Sequence, residues 1–159
     1  EFKNGIKHGR GILLLSNGDR YLGDFRDGFF NGEGKLESQN GDIYIGEFQN
    51  GLFYGEGRYT SADGTEYIGG YRDGLRNGFG SLISSSLNEG KYIGEFSNNI
   101  FNGVGEFQFP NGDIYSGEFK NGLFHGFGIF ITNGESLEGS FQNGQFIFSC
   151  PVPSTCLPR

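Results

Sequence analysis

The chain has 159 residues, of which 31 are Gly, 18 are Phe, 8 are Tyr and 4 are Pro, while Met and Trp are absent. Its glycine content far exceeds the usual value of about 7%, yet the many aromatic residues argue against disorder, and the scarcity of proline together with the lack of a three-residue glycine period excludes collagen. A net charge of −7 argues against nucleic acid as a partner and gives no support to attraction by anionic membranes.

A glycine-rich motif returns along almost the whole chain. A partial copy opens the sequence in mid-motif, and we therefore expect further sequence before Glu1. Complete copies carry the triplet Tyr-x-Gly, an aromatic residue two positions later, and then Gly-x-x-x-Gly-x-Gly. Successive triplets are 23, 23, 25, 23 and 22 residues apart and begin at Tyr21, Tyr44, Tyr67, Tyr92, Tyr115 and, in a degenerate copy, Leu137. The 25-residue step contains two extra residues in segment 84–90, which predicts a longer turn there. A repeat array is therefore predicted over residues 1–148, followed by a tail with Pro and Cys over residues 149–159.

Each repeat is predicted to be a β-hairpin. In the copy that starts at Tyr44, residues 44, 46 and 48 share one face because side chains alternate along a strand. The pair Asn50-Gly51 opens a connection of several residues, and residues 55–59 return as the second strand. Asn-Gly and Asp-Gly pairs recur at such places and tolerate the positive φ of tight hairpin turns. No segment between turns is long enough for a helix, so the predicted fold class is all-β.

Glycines at strand positions need a specific reason, because glycine weakens a strand and usually marks close approach by a neighbour. We predict that an aromatic ring lies over the glycine of an adjacent strand in every repeat. An apolar residue two positions after the last glycine completes the same face, at Leu13, Leu36, Tyr59, Leu82, Phe107 and Phe130. A single hairpin of this kind is unstable, whereas stacked hairpins bury a continuous stripe.

The pattern Tyr-x-Gly-x-aromatic-x-x-Gly-x-x-x-Gly-x-Gly at a 23-residue step resembles the MORN repeat (membrane occupation and recognition nexus). The resemblance implies a single-layer, twisted antiparallel sheet of tandem hairpins that forms an elongated, grooved strip. It also implies a scaffold of cilia, cytoskeletons or membrane junctions, or an arm attached to an enzyme. Some members of the family dimerise through their repeats, and one mode of partner binding lays an extended peptide in the groove. Phosphoinositide binding has also been proposed for the family.

The repeat pattern fails at its C-terminal end. After Gly144 the sequence Phe-Ile-Phe, from Phe146 to Phe148, stands in place of the expected Gly-x-Gly, which disfavours close approach of another repeat. An open sheet edge is normally covered or blocked. The edge is therefore expected to be covered either by the tail, where Pro151 and Pro153 stop strand extension, or by a second copy of the chain through Phe146 and Phe148.

Histidines and cysteines do not suggest a catalytic or metal site. His8 and His125 occupy equivalent positions five repeats apart, so at about 4.8 Å between strands they are too distant to share a metal ion. Cys150 and Cys156 lack the Cys-x-x-Cys spacing of zinc and redox motifs. Two cysteines form no disulfide framework, which favours a reducing compartment. We expect no enzyme activity, no cofactor and no metal.

Three sets of residues are candidates for contacts with a partner on or beside the groove. Acidic residues recur between the glycine and the aromatic residue, where they form either a solvated polar face or a track for basic partner side chains: Glu47, Glu95 and Glu118. Apolar pairs follow the first turn, and one residue of each pair is expected to leave the main stripe because consecutive strand residues point to opposite faces. We expect that residue to be Phe30, Phe53, Phe101 or Phe124, in a second aromatic row that either contacts a partner or packs within the strip. The groove itself would present Tyr44, Tyr67, Tyr92 and Tyr115 to the same partner.

The sequence as a whole favours a non-catalytic scaffold or adaptor that binds an extended segment of a protein partner. We expect it in the cytoplasm, in a cytoskeletal or ciliary assembly, with homodimerisation through the C-terminal repeats as a further expectation. Two alternatives stay open. One is a phosphoinositide-binding membrane adaptor, which the net charge disfavours, and the other is the regulatory arm of an enzyme whose catalytic domain lies outside this chain.

Overall fold

A computed structural model describes residues 1–86 and 89–149 of the chain. These residues form fifteen β-strands and no helix. The strands are β1 (Phe2–Lys3), β2 (Ile6–Lys7), β3 (Gly9–Leu14), β4 (Arg20–Arg26), β5 (Phe29–Glu37), β6 (Ile43–Gln49), β7 (Leu52–Thr60), β8 (Glu66–Arg72), β9 (Leu75–Ile83), β10 (Lys91–Ser97), β11 (Ile100–Gln108), β12 (Ile114–Lys120), β13 (Leu123–Thr132), β14 (Glu135–Gln142) and β15 (Gln145–Ser149). A helix able to cross a membrane is not found within the two described ranges.

One antiparallel sheet contains nearly all of these strands. Strands β1 and β2 form a separate two-stranded sheet, whereas β3 to β15 follow one another in chain order, each paired with its neighbours in sequence. The sheet is open, because β3 stands at one end of this order and β15 at the other. At about 4.8 Å between strands, thirteen strands extend over about 58 Å. The predicted all-β array of tandem hairpins is confirmed.

Tight two-residue turns join the two strands within a repeat. Between β6 and β7 only Asn50 and Gly51 lie outside the strands, with φ values of 52° and 84°. Positive φ at both positions is typical of the type I′ turn, whose twist matches that of the strands it joins. The predicted connection of several residues after this pair is therefore wrong, because pairing resumes at once with Gln49 opposite Leu52.

A β-bulge interrupts the pairing of β6 and β7 further along the hairpin. Gly46 pairs with Gly57 and Glu47 pairs with Tyr54, so the two residues between Tyr54 and Gly57 have no separate partner on β6. One of them, Gly55, has a φ of 59°, a conformation that favours glycine. The register shifts at the equivalent place in every hairpin from β4–β5 to β14–β15.

The core is a single stripe of aromatic rings on one side of the sheet, which we call the tyrosine face; the other side is the outer face. The five tyrosines of the stripe are 0–2% exposed: Tyr21, Tyr44, Tyr67, Tyr92 and Tyr115. A Cβ atom on Gly34 would lie 2.6 Å from Tyr21 Oη, and one on Gly57 would lie 2.6 Å from Tyr44 Cε2. The predicted placement of a ring over the glycine of an adjacent strand is confirmed.

Edge-to-face ring contacts join one repeat to the next. The Tyr21 ring meets Phe25 of its own strand at a centroid distance of 5.1 Å and Phe48 of the following repeat at 5.2 Å. Contacts of this geometry are favourable beyond the area they bury. Since the same pattern recurs along the sheet, the stripe is continuous rather than a series of separate clusters.

The predicted longer turn is present after β9. Residues 84–90 separate β9 from β10, whereas residues 38–42 separate β5 from β6. The backbone N–H of Ser84 donates to Gly90 O at 3.4 Å and closes the base of this turn. Leu87 and Asn88 lie outside the described residues.

Candidate partner-binding groove

The tyrosine hydroxyls of the stripe donate to the backbone. Tyr44 Oη donates to Glu47 O at 2.9 Å, and Tyr115 Oη donates to Glu118 O at 3.0 Å. Burial raises the pKa of Tyr21, Tyr67 and Tyr115 to about 12, and it raises the pKa of Tyr44 and Tyr92 as well. These rings therefore remain neutral donors that hold the fold. Partner contact was predicted for four of them, and the structure places all four in the core: Tyr44, Tyr67, Tyr92 and Tyr115.

A second layer of rings covers these tyrosines. Four parallel stacks, with centroid distances of 3.7–3.8 Å and interplanar angles of 8–14°, pair Phe30 with Tyr21, Phe53 with Tyr44, Phe101 with Tyr92 and Phe124 with Tyr115. The expectation that these phenylalanines leave the main stripe is wrong. Phe53 lies opposite Phe48 in the register, and directly opposed residues share one face of a sheet. All four are half-buried and form the surface above the stripe, which we call the groove.

The other residue of each apolar pair lies on the outer face. These residues are 37–57% exposed and form a row that the sequence reading missed: Phe29, Leu52, Leu75, Ile100 and Leu123. Where the following repeat has a glycine in its turn, the exposed residue lies beside that glycine. A Cβ atom on Gly51, for example, would be 3.9 Å from Phe29 Cδ1. The backbone adds a second link at the same rim, since Gly51 N–H donates to Phe30 O at 2.9 Å. The signal that could have revealed this row was the two-residue length of the turns.

The acidic residues predicted as a track for basic partner side chains accept hydrogen bonds from backbone N–H groups at the bulges. Glu47 Oε1 accepts a hydrogen bond from Glu56 N at 3.4 Å, Glu95 Oε1 from Val104 N at 3.2 Å, and Glu118 Oε1 from Phe127 N at 3.1 Å. Each carboxylate therefore satisfies a backbone N–H that the bulge takes out of the ladder. Contact of Glu47, Glu95 and Glu118 with basic partner side chains stays a prediction.

Aspartates line the rim of the groove at the turns between repeats. Asp42 Oδ1 accepts a hydrogen bond from Ala62 N at 2.9 Å, and Asp42 Oδ2 accepts one from Tyr59 Oη at 2.6 Å. The Tyr59 hydrogen bond is the main cause that holds the pKa of Asp42 below its ordinary value. Asp19 accepts an equivalent bond from Gln39 N at 2.9 Å. The rim therefore carries negative charge at several turns, from Asp19, Asp42, Asp63 and Asp113.

The row of stacked phenylalanines is interrupted once, at Arg76. The Arg76 Cζ atom lies 5.6 Å from the centroid of the Tyr67 ring and 5.4 Å from that of Phe96. Its side chain reaches Asn99, where Nη2 donates to the backbone O at 3.1 Å and Nε donates to Oδ1 at 3.3 Å. Asn99 occupies the turn position at which the neighbouring repeats have Gly74 and Gly122. Two departures from the repeat pattern are thus in direct contact.

A hollow of about 380 Å³ opens in the groove beside Arg76. Its walls include aromatic and apolar side chains together with the guanidinium group: Phe53, Tyr59, Tyr67, Tyr71, Leu82 and Arg76. Polar atoms from Ser61, Asp63 and Thr65 lie along the turn side. The hollow has the volume of a small ligand pocket, for which about 300–1,000 Å³ is usual.

The C-terminal residues proposed for self-association differ from each other in burial. Phe146 packs edge-on against Phe141 at a centroid distance of 5.3 Å, and it stands two residues after Gly144 as Phe124 stands two after Gly122. Phe146 therefore continues the covering row, and the prediction that it stands in place of a glycine is wrong. Phe148 is 48% exposed on β15, the last strand of the sheet. The proposed cap formed by Pro151 and Pro153, and both cysteines, lie outside the described residues.

No cluster of three or more His, Cys, Asp or Glu side chains in residues 1–86 and 89–149 could hold a metal ion. His8 Nδ1 lies 4.0 Å from Asp27 Oδ1 near the N-terminal end of the strip. The backbone O of His125 accepts a hydrogen bond from Tyr115 Oη at 3.3 Å. The two histidines therefore occupy different local settings despite their equivalent sequence positions.

Comparison with protein families agrees with the geometry. The MORN repeat matches the chain six times, over residues 1–20, 21–43, 44–66, 67–88, 92–114 and 115–135. The chain belongs to the MORN repeat family, a class of protein-interaction or membrane-associated repeat proteins that is generally non-catalytic. A search of curated proteins found no match.

Proposed function

We propose that the chain is a non-catalytic scaffold or adaptor that binds an extended segment of a protein partner along the groove. The observation that supports this proposal is the row of half-buried phenylalanines above the tyrosine stripe. These rings present an apolar surface, interrupted at Arg76, on one side of an open, single-layer sheet. Large apolar surfaces on a protein usually mark interaction sites. The segment runs along the strip, across the strands, because the row itself runs in that direction.

Charge supports a partner segment with basic flanks. The groove is bordered by aspartates such as Asp42, and the chain as a whole carries a net charge of −7. Complementary charge increases association rates and rejects wrong partners more than it adds affinity. We expect the apolar row to supply most of the affinity and the acidic rim to set the register.

The proposed cellular setting is the cytoplasm, in a cytoskeletal or ciliary assembly. Only two cysteines occur in 159 residues, which suits a reducing compartment such as the cytoplasm. A role in a cytoskeletal or ciliary assembly follows from the resemblance to MORN-repeat scaffolds.

Paired substitutions on the two faces test the proposal. Peptides that bind the wild-type chain are selected from a displayed random library, and their affinities are then measured for two double variants. Phe53→Ser with Phe124→Ser alters the groove, whereas Leu52→Ser with Leu123→Ser alters the adjacent positions on the outer face. Loss of affinity only in the groove variant, with folding checked by thermal unfolding, is the expected result. Equal affinity of wild type and the groove variant would show that the peptides bind elsewhere.

We also propose that the C-terminal edge pairs with a second copy of the chain. Phe148 and Ile147 are 48% and 49% exposed on β15, a strand that has a neighbour on one side only among the described residues. Exposed apolar edge strands favour association. Light scattering should report a dimer that Phe148→Ser converts to a folded monomer, while Ile12→Ser on β3, at the opposite end, leaves the dimer intact. A wild type that is monomeric at high concentration contradicts this proposal.

A further inference from the structure

A carboxylate of the chain itself lies on the bulge in most repeats. A Cβ atom on the bulge glycine Gly32 would lie 3.1 Å from Asp24 Oδ2, and one on Gly103 would lie 2.7 Å from Glu95 Oε2. The same contact joins three further pairs: Glu1 with Gly9, Glu47 with Gly55, and Glu118 with Gly126. In three of the five repeats the carboxylate also accepts the backbone N–H that follows the bulge glycine, at 3.1–3.4 Å. The bulge is therefore a place that this fold fills with a carboxylate.

The repeat that begins at Tyr67 has the bulge but lacks the carboxylate. Gly70 stands where the other five repeats have Asp or Glu, and a Cβ atom on the bulge glycine Gly78 would meet nothing within 4 Å among the described residues. The equivalent donor is the backbone N–H of Phe79, nine residues after Gly70, which is the separation found in the hydrogen-bonded pairs. A Cβ atom on Gly70 would collide with Asn77 O, so the backbone here favours glycine. The position over this bulge is open.

A cation lies beside the open bulge on the same face of the sheet. Arg72 follows Gly70 by two residues on β8, so both belong to the outer face, and Arg72 is exposed. The ion pairs found in residues 1–86 and 89–149 do not include Arg72. Phe79 is 65% exposed, which leaves the bulge accessible from solvent. A guanidinium group and a backbone N–H are both strong donors to a carboxylate.

Acidic neighbours do not exclude a carboxylate from a bulge of this kind. Glu56 and Glu95 lie on the strands on either side of the open bulge. Glu47, however, occupies its own bulge although Glu33 lies directly opposite it in the register. At the open bulge the guanidinium group of Arg72 offsets part of the negative charge.

We propose that the open bulge binds the carboxylate of an Asp or Glu side chain from a partner protein. One carboxylate oxygen accepts the Phe79 N–H, and the other pairs with the Arg72 guanidinium. The chain's own carboxylates on five other bulges select this ligand, because they show which group fits over the bulge glycine. The site lies on the outer face, so it does not depend on the binding of a segment in the groove. It gives the strip a second contact, with an acidic partner at a defined repeat.

NMR titration of the full chain with a small carboxylate tests the site. The probe is N-acetylglutamate α-amide, and the matched control is N-acetylglutamine α-amide, which has nearly the same shape and no charge. We expect a saturable shift of the Phe79 amide with the charged probe only. The amides of Glu56, Val104 and Phe127 should not respond, because the chain's own carboxylates occupy their bulges. A Phe79 amide that responds equally to both compounds, or to neither, overturns the proposal.

A parallel titration with acetate distinguishes a protein side chain from a free carboxylate as the ligand. Binding of the glutamate compound at least as tight as that of acetate supports a side chain. A clear preference for acetate contradicts it, because the site would then reject the atoms that connect a carboxylate to a polypeptide.

Two variants separate the cation from the open bulge. Arg72→Gln removes the charge and should weaken binding of the charged probe by up to about fivefold, the effect of an exposed ion pair. Glu118→Gly empties another bulge, beside which Lys120 stands as Arg72 stands beside Gly70, so the Phe127 amide should acquire a response to the probe. Thermal unfolding checks that both variants are folded. Unchanged affinity in Arg72→Gln contradicts the role of the guanidinium, and an unresponsive Phe127 amide in folded Glu118→Gly contradicts the role of the bulge.

Discussion

The ring of Phe53 lies parallel to the ring of Tyr44, with 3.7 Å between their centroids and 8° between their planes. Its neighbour Leu52 points to the outer face and is 49% exposed. Adjacent residues thus belong to different layers of the protein. Phe53 both shields a buried tyrosine and forms the surface of the groove, so folding and recognition depend on the same ring.

This relationship predicts different costs for two adjacent substitutions. Phe53→Ser should lower the free energy of unfolding by about 2 kcal/mol, short of the about 3–5 kcal/mol that truncation of a fully buried Phe costs. Leu52→Ser should change it by no more than about 0.5 kcal/mol, as is usual at exposed positions. Denaturant unfolding of both variants is the measurement. Equal effects would contradict the assignment of the two residues to different faces.

The glycines under the tyrosine rings should be intolerant of a methyl group. Gly34→Ala places a Cβ atom 2.6 Å from Tyr21 Oη, and overpacking of this kind costs about 1–3 kcal/mol. Gly11→Ala is the matched control, because its Cβ would meet Phe25 Cε2 at 3.5 Å, an ordinary contact distance. We expect a clear loss of thermal stability in the first variant only. A Gly34→Ala variant as stable as wild type would show that the ring is free to move away.

Stability should decline at alkaline pH. Burial raises the pKa of Tyr21, Tyr67 and Tyr115 from the ordinary 10 to about 12, so the neutral hydroxyl is favoured in the folded chain. The resulting stabilisation is fully present below pH 10, where the unfolded chain keeps its tyrosines neutral, and it is lost as the pH rises to about 12. Denaturant unfolding at pH 9 and pH 11 measures this loss of stability, with phenolate absorbance as a second readout. A Tyr115→Phe variant should show a smaller decline. Stability that is constant over this range would contradict the burial of these hydroxyls.

Anionic vesicles should capture little of this chain. The net charge of −7 repels an anionic surface, and basic clusters are what normally binds head groups. Sedimentation with vesicles that contain a phosphoinositide, at physiological salt, is the measurement, with neutral vesicles as the control. Tight binding to one phosphoinositide that weakens with salt would instead favour the membrane-adaptor alternative.

The sequence could predict the repeat, the positions of the turns and the role of the strand glycines, because each rests on local geometry. Asn50-Gly51 fixes a tight turn through its positive φ values, and Gly34 is required by the ring above it. The face of Phe53 could not be predicted as easily. It depends on the turn having only two residues and on a bulge further along the strand, and an error of one residue reverses the face.

The site at Arg76 was beyond the reach of the sequence for a different reason. Arg76 departs from the apolar pairs and Asn99 departs from the turn glycines, but their contact joins residues 23 positions apart. The hollow of about 380 Å³ in the groove is lined by both of these residues. Likewise, the repeat pattern predicted that Phe146 stands in place of a glycine, whereas its contact with Phe141 places it in the covering row.

Site-specific photo-crosslinking tests the central claim, that an extended segment lies along the groove, most directly. Benzoylphenylalanine is placed in separate chains at Phe53, Phe124, Leu52 or Leu123, and each chain is irradiated with a library-selected peptide. Phe53 on β7 and Phe124 on β13 are six strands apart, about 29 Å, which an extended peptide spans in about nine residues at about 3.3 Å per residue. The account predicts crosslinks from positions 53 and 124 to two peptide sites about nine residues apart. Crosslinks from positions 52 and 123 alone, or from 53 and 124 to the same peptide residue, would contradict it.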